Sequence, residues 1–263
     1  LDLSGTADLQ GVIMAEKNSL RGNLALGTGY GLVRAEAGMQ RDTATGRENI
    51  NMQLYSEGFA LDSLLQKEDT LGNLAFHVNI TGSTRNFRNP HLNYDITVAG
   101  FQYMGYTYSD LIAAGRYSAD TLQLEATMRD ENLSFMINGH AHIPGRLEGI
   151  ALEAELKNAE LAALELSDKS TRLGGSLQTS LSGSRLRNIR GYLQLSDAYY
   201  IRPEQSFRTE IIRWDMEGDS VQPVYHMHLE NLWNNDSLFT RDAAITARVE
   251  SERTVISGNA VVR

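Results

Sequence analysis

The stretch Leu74-Ala-Phe-His-Val-Asn-Ile-Thr81, followed by Leu92-Asn-Tyr-Asp-Ile-Thr-Val98, decides how the chain folds. Leu74, Phe76, Val78 and Ile80 fall on one side and Ala75, His77, Asn79 and Thr81 on the other, because successive side chains of a strand point to opposite faces. Leu92, Tyr94, Ile96 and Val98 repeat the pattern against Asn93, Asp95 and Thr97. Outward from this core, Leu122, Leu124, Ala126 and Met128 alternate with polar residues, as do Leu133, Phe135, Ile137 and Ala141. Similar strands are expected at 150–157, 175–182, 191–196 (with Leu193 and Leu195), 224–230 and 243–250. One greasy and one wet face per strand argues against a parallel sheet covered by helices, whose strands are apolar on both faces, and for antiparallel pairing. The fold class is therefore all-β, with very little helix.

Turn signals fall at Thr81-Gly-Ser-Thr84, Ala99-Gly100, Asp130-Glu-Asn132, Ile143-Pro-Gly145, Ser182-Gly-Ser184, Glu217-Gly-Asp219 and Trp233-Asn-Asn-Asp236. Short helical turns are expected only at 58–65 and 158–164. These two places are related: Leu61 and Leu64 correspond to Leu161 and Leu164, and each leads through Leu71-Gly72 or Gly174-Gly175 into an alternating strand ending at Gly82 or Gly183. The period is about a hundred residues, which reads as stacked units. The expectation is one β domain over 1–263, a piece of a longer chain, with approximate repeats at 1–57, 58–157 and 158–263.

Composition narrows the functions. With 24 Lys+Arg against 33 Asp+Glu, the net charge of -9 repels nucleic-acid phosphates, so no nucleic-acid partner is expected. The absence of cysteine excludes disulfides, thiolate catalysis and Cys-bearing metal centres. No stretch reaches the roughly 18 apolar residues of a membrane-spanning helix. Only 4 prolines, against roughly 5% of average usage, suit long uninterrupted strands.

Candidate chemistry is sparse. His140/His142 and His226/His228 could each place two imidazoles on one strand face, but both pairs fall on the polar side and lack a third ligand, so no metal or other cofactor is expected. Gly27-Thr-Gly29-Tyr-Gly31 is short of a phosphate-binding glycine spacing and reads as a hairpin turn. Glu153/Glu155 and Asp215/Glu217 sit at i,i+2 on wet faces as a solubilising fringe, without the cleft a glycosidase pair needs. Ser167, Ser170 and Ser176 have no nucleophile elbow. Arg185, Arg187, Arg190, Arg202, Arg208 and Arg213 are expected to be spread among compensating acids.

The short Leu-x-x-Leu turn, the Leu71-Gly-Asn-Leu74 strand entry, Gly82 through Asn89-Pro90-His-Leu92, Gly100-Phe-Gln-Tyr-Met-Gly-Tyr106 and Gly139 resemble the TamB and AsmA-like families of bacterial envelope proteins. The likeness covers most of 58–200, and Gly218-Asp219 through Pro223 resembles the C-terminal part of TamB-like chains. Gly191 lacks the preceding Asn-Pro of Asn89-Pro90, a departure from the pattern. The resemblance implies an elongated, curved antiparallel sheet, folded like a taco around an open apolar groove. It further implies a periplasmic protein anchored in the inner membrane outside this stretch, working with an outer-membrane barrel of the Omp85 type. The implied role is envelope biogenesis without catalysis: carrying lipid acyl chains or another hydrophobic client, assisting outer-membrane protein assembly, or both. The groove would be lined by Leu74, Phe76, Val78, Ile80, Leu92, Tyr94, Ile96, Val98, Leu122, Leu124, Met128, Leu133, Phe135, Ile137, Leu193 and Leu195. A closed sandwich or barrel would give the same alternation; the resemblance, single apolar rows and scarcity of helices favour the open groove. The alternatives are a secreted β-solenoid carbohydrate-active enzyme, or a surface adhesin using Tyr103, Tyr106 and Tyr108.

Overall fold

The computed structural model describes residues 8–61, 71–85, 88–144, 147–183, 188–217, 223–249 and 254–262. Contacts divide the chain into two compact units, Leu1–Glu131 and Asn132–Arg263. The first holds β1 (Asp8–Glu16), β2 (Ser19–Thr28), β3 (Gly31–Arg41), β4 (Glu48–Ala60), β5 (Leu71–Arg85), β6 (Arg88–Tyr103), β7 (Tyr106–Ser118) and β8 (Thr121–Arg129). The second holds β9 (Leu133–His142), β10 (Gly149–Glu160), β11 (Arg172–Ser182), β12 (Arg190–Arg202), β13 (Gln205–Glu217), β14 (Val224–Asn234), β15 (Ser237–Val249) and β16 (Thr254–Val262).

Within each unit every strand pairs antiparallel with its sequence neighbours, β1 to β8 in the first and β9 to β16 in the second. β1 pairs only with β2 and β16 only with β15, so the topology is open. The fold is the expected one: all-β, a curved antiparallel sheet, open, with minimal helix. Tight hairpins follow from the turn residues. Met104 and Gly105 both adopt positive φ between Tyr103 and Tyr106, as do Asn235 and Asp236 between Asn234 and Ser237. That backbone matches the twist of the strands it joins. Among the described residues no helix is long and apolar enough to cross a membrane.

Four local expectations are corrected, wholly or in part. Thr81–Thr84 and Ala99-Gly100 lie inside β5 and β6, not at turns. Gly82 is needed because an added Cβ would sit 2.0 Å from the His91 carbonyl of the neighbouring strand. Ala99 is instead an extra residue, since Ala75 pairs with Gly100 but Phe76 with Val98, which makes a bulge. Glycine inside a strand marks such close approaches as readily as turns. The expected helix at 158–164 is the end of β10 followed by a turn in which the Leu164 N–H donates to the Glu160 carbonyl at 3.0 Å. Of the one at 58–65, residues 58–60 belong to β4, Leu61 is helical, and the rest lie outside the described residues.

Neither unit closes a core among its described residues. Among the described apolar side chains only Tyr108, Ala126, Met128, Ala159, Leu164 and Pro223 are buried.

Candidate functional site

Residues opposite one another across a ladder share a face, so the registers show what the alternating rows build. In the first unit Phe76, Val98, Leu111 and Met128 form one transverse row with Ser56. The next row is Leu54, Val78, Ile96, Ala113 and Ala126, and the one after it Met52, Ile80, Tyr94, Gly115 and Leu124. A fourth contains Ile50, Gly82, Leu92, Tyr117 and Leu122. The rows continue through Ala35, Ala37 and Met39 of β3 and Leu24, Gly22 and Leu20 of β2. Leu74 stands between Phe59 and Phe101.

The second unit repeats the arrangement. Ile137, Ala154, Leu177, Leu195, Ile212 and Leu229 form one row, and Gly139, Leu152, Thr179, Leu193, Trp214 and Met227 another. Phe135 opposes Leu156, and Leu133 opposes Ala159. All sixteen candidate residues are half-buried except Met128, which is 5% exposed. They pack against strand neighbours, and no second layer closes over them among the described residues. Met52 and Leu54 in the first unit and Ile212 and Trp214 in the second belong to these rows but escaped the sequence reading. The alternation of Ile212, Trp214 and Met216 against Arg213, Asp215 and Glu217 was the available signal, masked by the adjacent pair Ile211-Ile212.

Large side chains oppose small ones along these rows, and Tyr94 shows how. Its ring lies over Gly115, where an added Cβ would meet the ring carbon Cζ at 2.6 Å, and its hydroxyl donates to the Gln123 carbonyl of β8 at 2.6 Å. One tyrosine thus spans three strands and stays flat in the apolar face. At one end of the first unit, Phe101, Tyr103, Tyr106 and Tyr108 cluster. Buried Asp130 accepts from the Tyr106 hydroxyl and from the Ser109 N–H and hydroxyl. Burial first, then Tyr103 and the Asp130 charge, push the Tyr108 hydroxyl above its usual pKa. These tyrosines are committed to one another and to Asp130.

The opposite face is polar and ordered. His226 and His228 lie on it, as expected, and both are partnered: His226 Nδ1 hydrogen-bonds Thr246 Oγ1 at 3.0 Å, His228 Nε2 hydrogen-bonds Glu230 at 2.9 Å, and His228 Nδ1 stands 3.5 Å from the Asp242 carboxylate. His140 and His142 are exposed. Among the described residues no group of three or more His, Asp or Glu is arranged to hold a metal ion. Glu153 accepts from Gln178 of the neighbouring strand, Gly27–Gly31 is the β2–β3 hairpin, and Ser167, Ser170 and Ser176 lie in the 161–171 loop and β11. Arg202 packs over Tyr200 and donates to Thr171; Arg208 stands 3.9 Å from Asp236. Arg190 is exposed at the start of β12, and Arg185 and Arg187 lie outside the described residues.

Arg213 organises the polar face of the second unit. It grips Asp215 through two nitrogens, donates to Gln194 Oε1 at 3.1 Å and lies 4.5 Å from the Tyr192 ring centroid. The Arg213 hydrogen bond holds the Asp215 carboxyl below the usual carboxylate range, burial opposing. The folded state therefore binds this proton more weakly than the unfolded chain. The stabilisation is complete above the ordinary carboxylate pKa and is lost as pH falls through the lowered value in the fold. Asp215→Asn should flatten the acid limb of the stability–pH curve below about pH 4 and leave the neutral-to-alkaline shape unchanged, as read by chemical denaturation across pH.

No protein-family model matches the chain, and no curated protein or solved structure is significantly similar to it.

Proposed function

We propose that the apolar sheet face is a conduit for lipid acyl chains, and that the protein works in the bacterial periplasm as a non-enzymatic scaffold of envelope biogenesis. The observation that carries this reading is the set of continuous apolar rows left half-exposed, with almost no closed core. Water-facing apolar area on this scale marks a binding surface. An acyl chain laid across the rows leaves water with a gain of about 0.8 kcal/mol per buried CH₂. Successive rows offer nearly equivalent Leu, Ile, Val and Ala contacts, so one position is not strongly preferred over the next and the chain can slide. In the TamB and AsmA-like manner that the sequence resembles, the protein would be anchored in the inner membrane and meet an Omp85-type barrel, passing lipid or supporting outer-membrane protein assembly.

The test is photocrosslinking of the purified, folded chain with a photoreactive fatty-acyl probe, followed by peptide mapping. Adducts concentrated on the apolar positions of β5, β6 and β8 support the proposal; a folded chain that captures no probe refutes it.

A further inference from the structure

The polar positions of the first unit line a concavity of their own, which also borders on Met39, Ile50, Ser56 and Phe76 of the apolar rows. Two open troughs of about 480 and 660 Å³ adjoin there and share Glu36 and Gln53 in their walls. The registers explain why these side chains meet. Asn23, Glu36 and Gln53 form one transverse row, Arg21, Gly38 and Asn51 the next, and Arg34, Tyr55 and His77 a third on the same face. Gly38 leaves a gap between Arg21 and Asn51: a Cβ added there would meet nothing within 4 Å. Two strand spacings of about 4.8 Å separate the flanking side chains, so the floor is bare backbone between polar walls.

The lining has a particular chemistry. Asn23, Asn51 and Gln53, with Gln40 and Asn49 at the margin, supply carboxamides, each of which both donates and accepts hydrogen bonds. Arg21 and Arg34 are matched by Glu36 and by Glu57 of the second trough, leaving no net attraction for an anion. At the other end Tyr55 is fixed edge-to-face against His77, ring centroids 6.4 Å apart at 80°, and Arg34 stands over the Tyr55 ring at 5.6 Å. An aromatic border supplies apolar surface beside polar tips. Groups that donate and accept from the same atom, on a flat body with an apolar side, are the hydroxyls and C–H faces of sugars.

We infer that this trough binds an uncharged oligosaccharide lying across β2 to β5, with the carboxamides holding its hydroxyls and the Tyr55–His77 pair bordering one ring. A phosphorylated ligand would face both Glu36 and Glu57 with only Arg21 and Arg34 to offset them, and an acyl chain would strand the carboxamides without partners.

The experiment titrates the full chain with chitotetraose and with maltotetraose by calorimetry, and by amide chemical-shift mapping, with inorganic phosphate as the anionic comparison. Saturable binding of either oligosaccharide with Kd near ~1 mM or tighter, and shifts centred on residues 21–23, 36–38 and 51–55, are expected. Gly38→Tyr fills the floor, and because an aromatic residue suits a strand better than glycine the fold is retained. It should weaken binding at least ~10-fold, equivalent to about 1.4 kcal/mol, as should the pair Asn51→Ala and Gln53→Ala, while capture of the acyl probe on the opposite face is unchanged. Saturation by neither sugar, binding indifferent to Gly38→Tyr in a chain shown to be folded, or binding of inorganic phosphate alone would each overturn the inference.

Discussion

Leu164→Ala should destabilise the second unit by about 3–5 kcal/mol, the range for a fully buried leucine whose surroundings collapse only partly. Leu164 is 1% exposed in a protein whose other apolar side chains are mostly half-buried. It sits in the loop between β10 and β11, pinned at its base by the Leu161 N–H donating to the Thr171 carbonyl at 2.9 Å. Thr171, fully buried, also takes the Arg202 Nε at 3.1 Å. Among the described residues no second layer shares the loss, so one packed loop side chain carries an unusual part of the unit's buried apolar surface. Denaturant unfolding followed by tryptophan fluorescence checks this, since Trp214 and Trp233 both belong to the second unit. Leu164→Met, which conserves volume, should cost less than about 1.5 kcal/mol.

The second large effect is Gly115→Ala, expected to cost about 3 kcal/mol or more, at the severe end for single substitutions. Its Cβ would sit 2.0 Å from the Gln123 carbonyl and 2.4 Å from the Tyr94 hydroxyl oxygen. Backbone cannot yield as a flexible side chain does, so the β7–β8 ladder has to open. A damaged ladder and a displaced Tyr94 are separable. Tyr94→Phe removes only the hydroxyl bond to Gln123, at about 0.5–1.5 kcal/mol, and Gly115→Ala in the Tyr94→Ala background should remain costly because the carbonyl clash persists. Hydrogen exchange at the amides of β7 and β8 reads the opening directly.

How much of this is legible in the sequence depends on whether the signal is local. Alternation along one strand is local, so Leu74 to Ile80 and Leu92 to Val98 identify their faces unaided, and the all-β antiparallel class follows from them. Strand length is less so: Gly82 and Gly100 look like turns because the sequence does not display the neighbouring backbone that demands a missing side chain or a bulge. Register is not local at all. Nothing in the spacing says that Gly115 will lie beneath Tyr94, or that Gly38 will fall between Arg21 and Asn51 to make a trough. Leu164 reads as part of a helical turn, and its burial depends on the loop folding back through Thr171. The polar order around Arg213 and His228 is equally a product of pairing, since Gln194, Thr246 and Asp242 come from neighbouring strands.

An acyl conduit on one face requires the two faces of the same strands to differ in what they capture. The most direct measurement is the yield of a photoreactive fatty-acyl crosslink in face-matched variants, each verified as folded by circular dichroism and cooperative unfolding. Phe76→Asp and Leu124→Asp place a charge among the apolar rows, where a carboxylate cannot be desolvated cheaply, and should reduce capture at least ~10-fold. His77→Asp and Gln123→Asp, one residue along but on the polar face, should capture as the native chain does. Equal crosslinking on both faces, or equal loss from both pairs of variants, would contradict it.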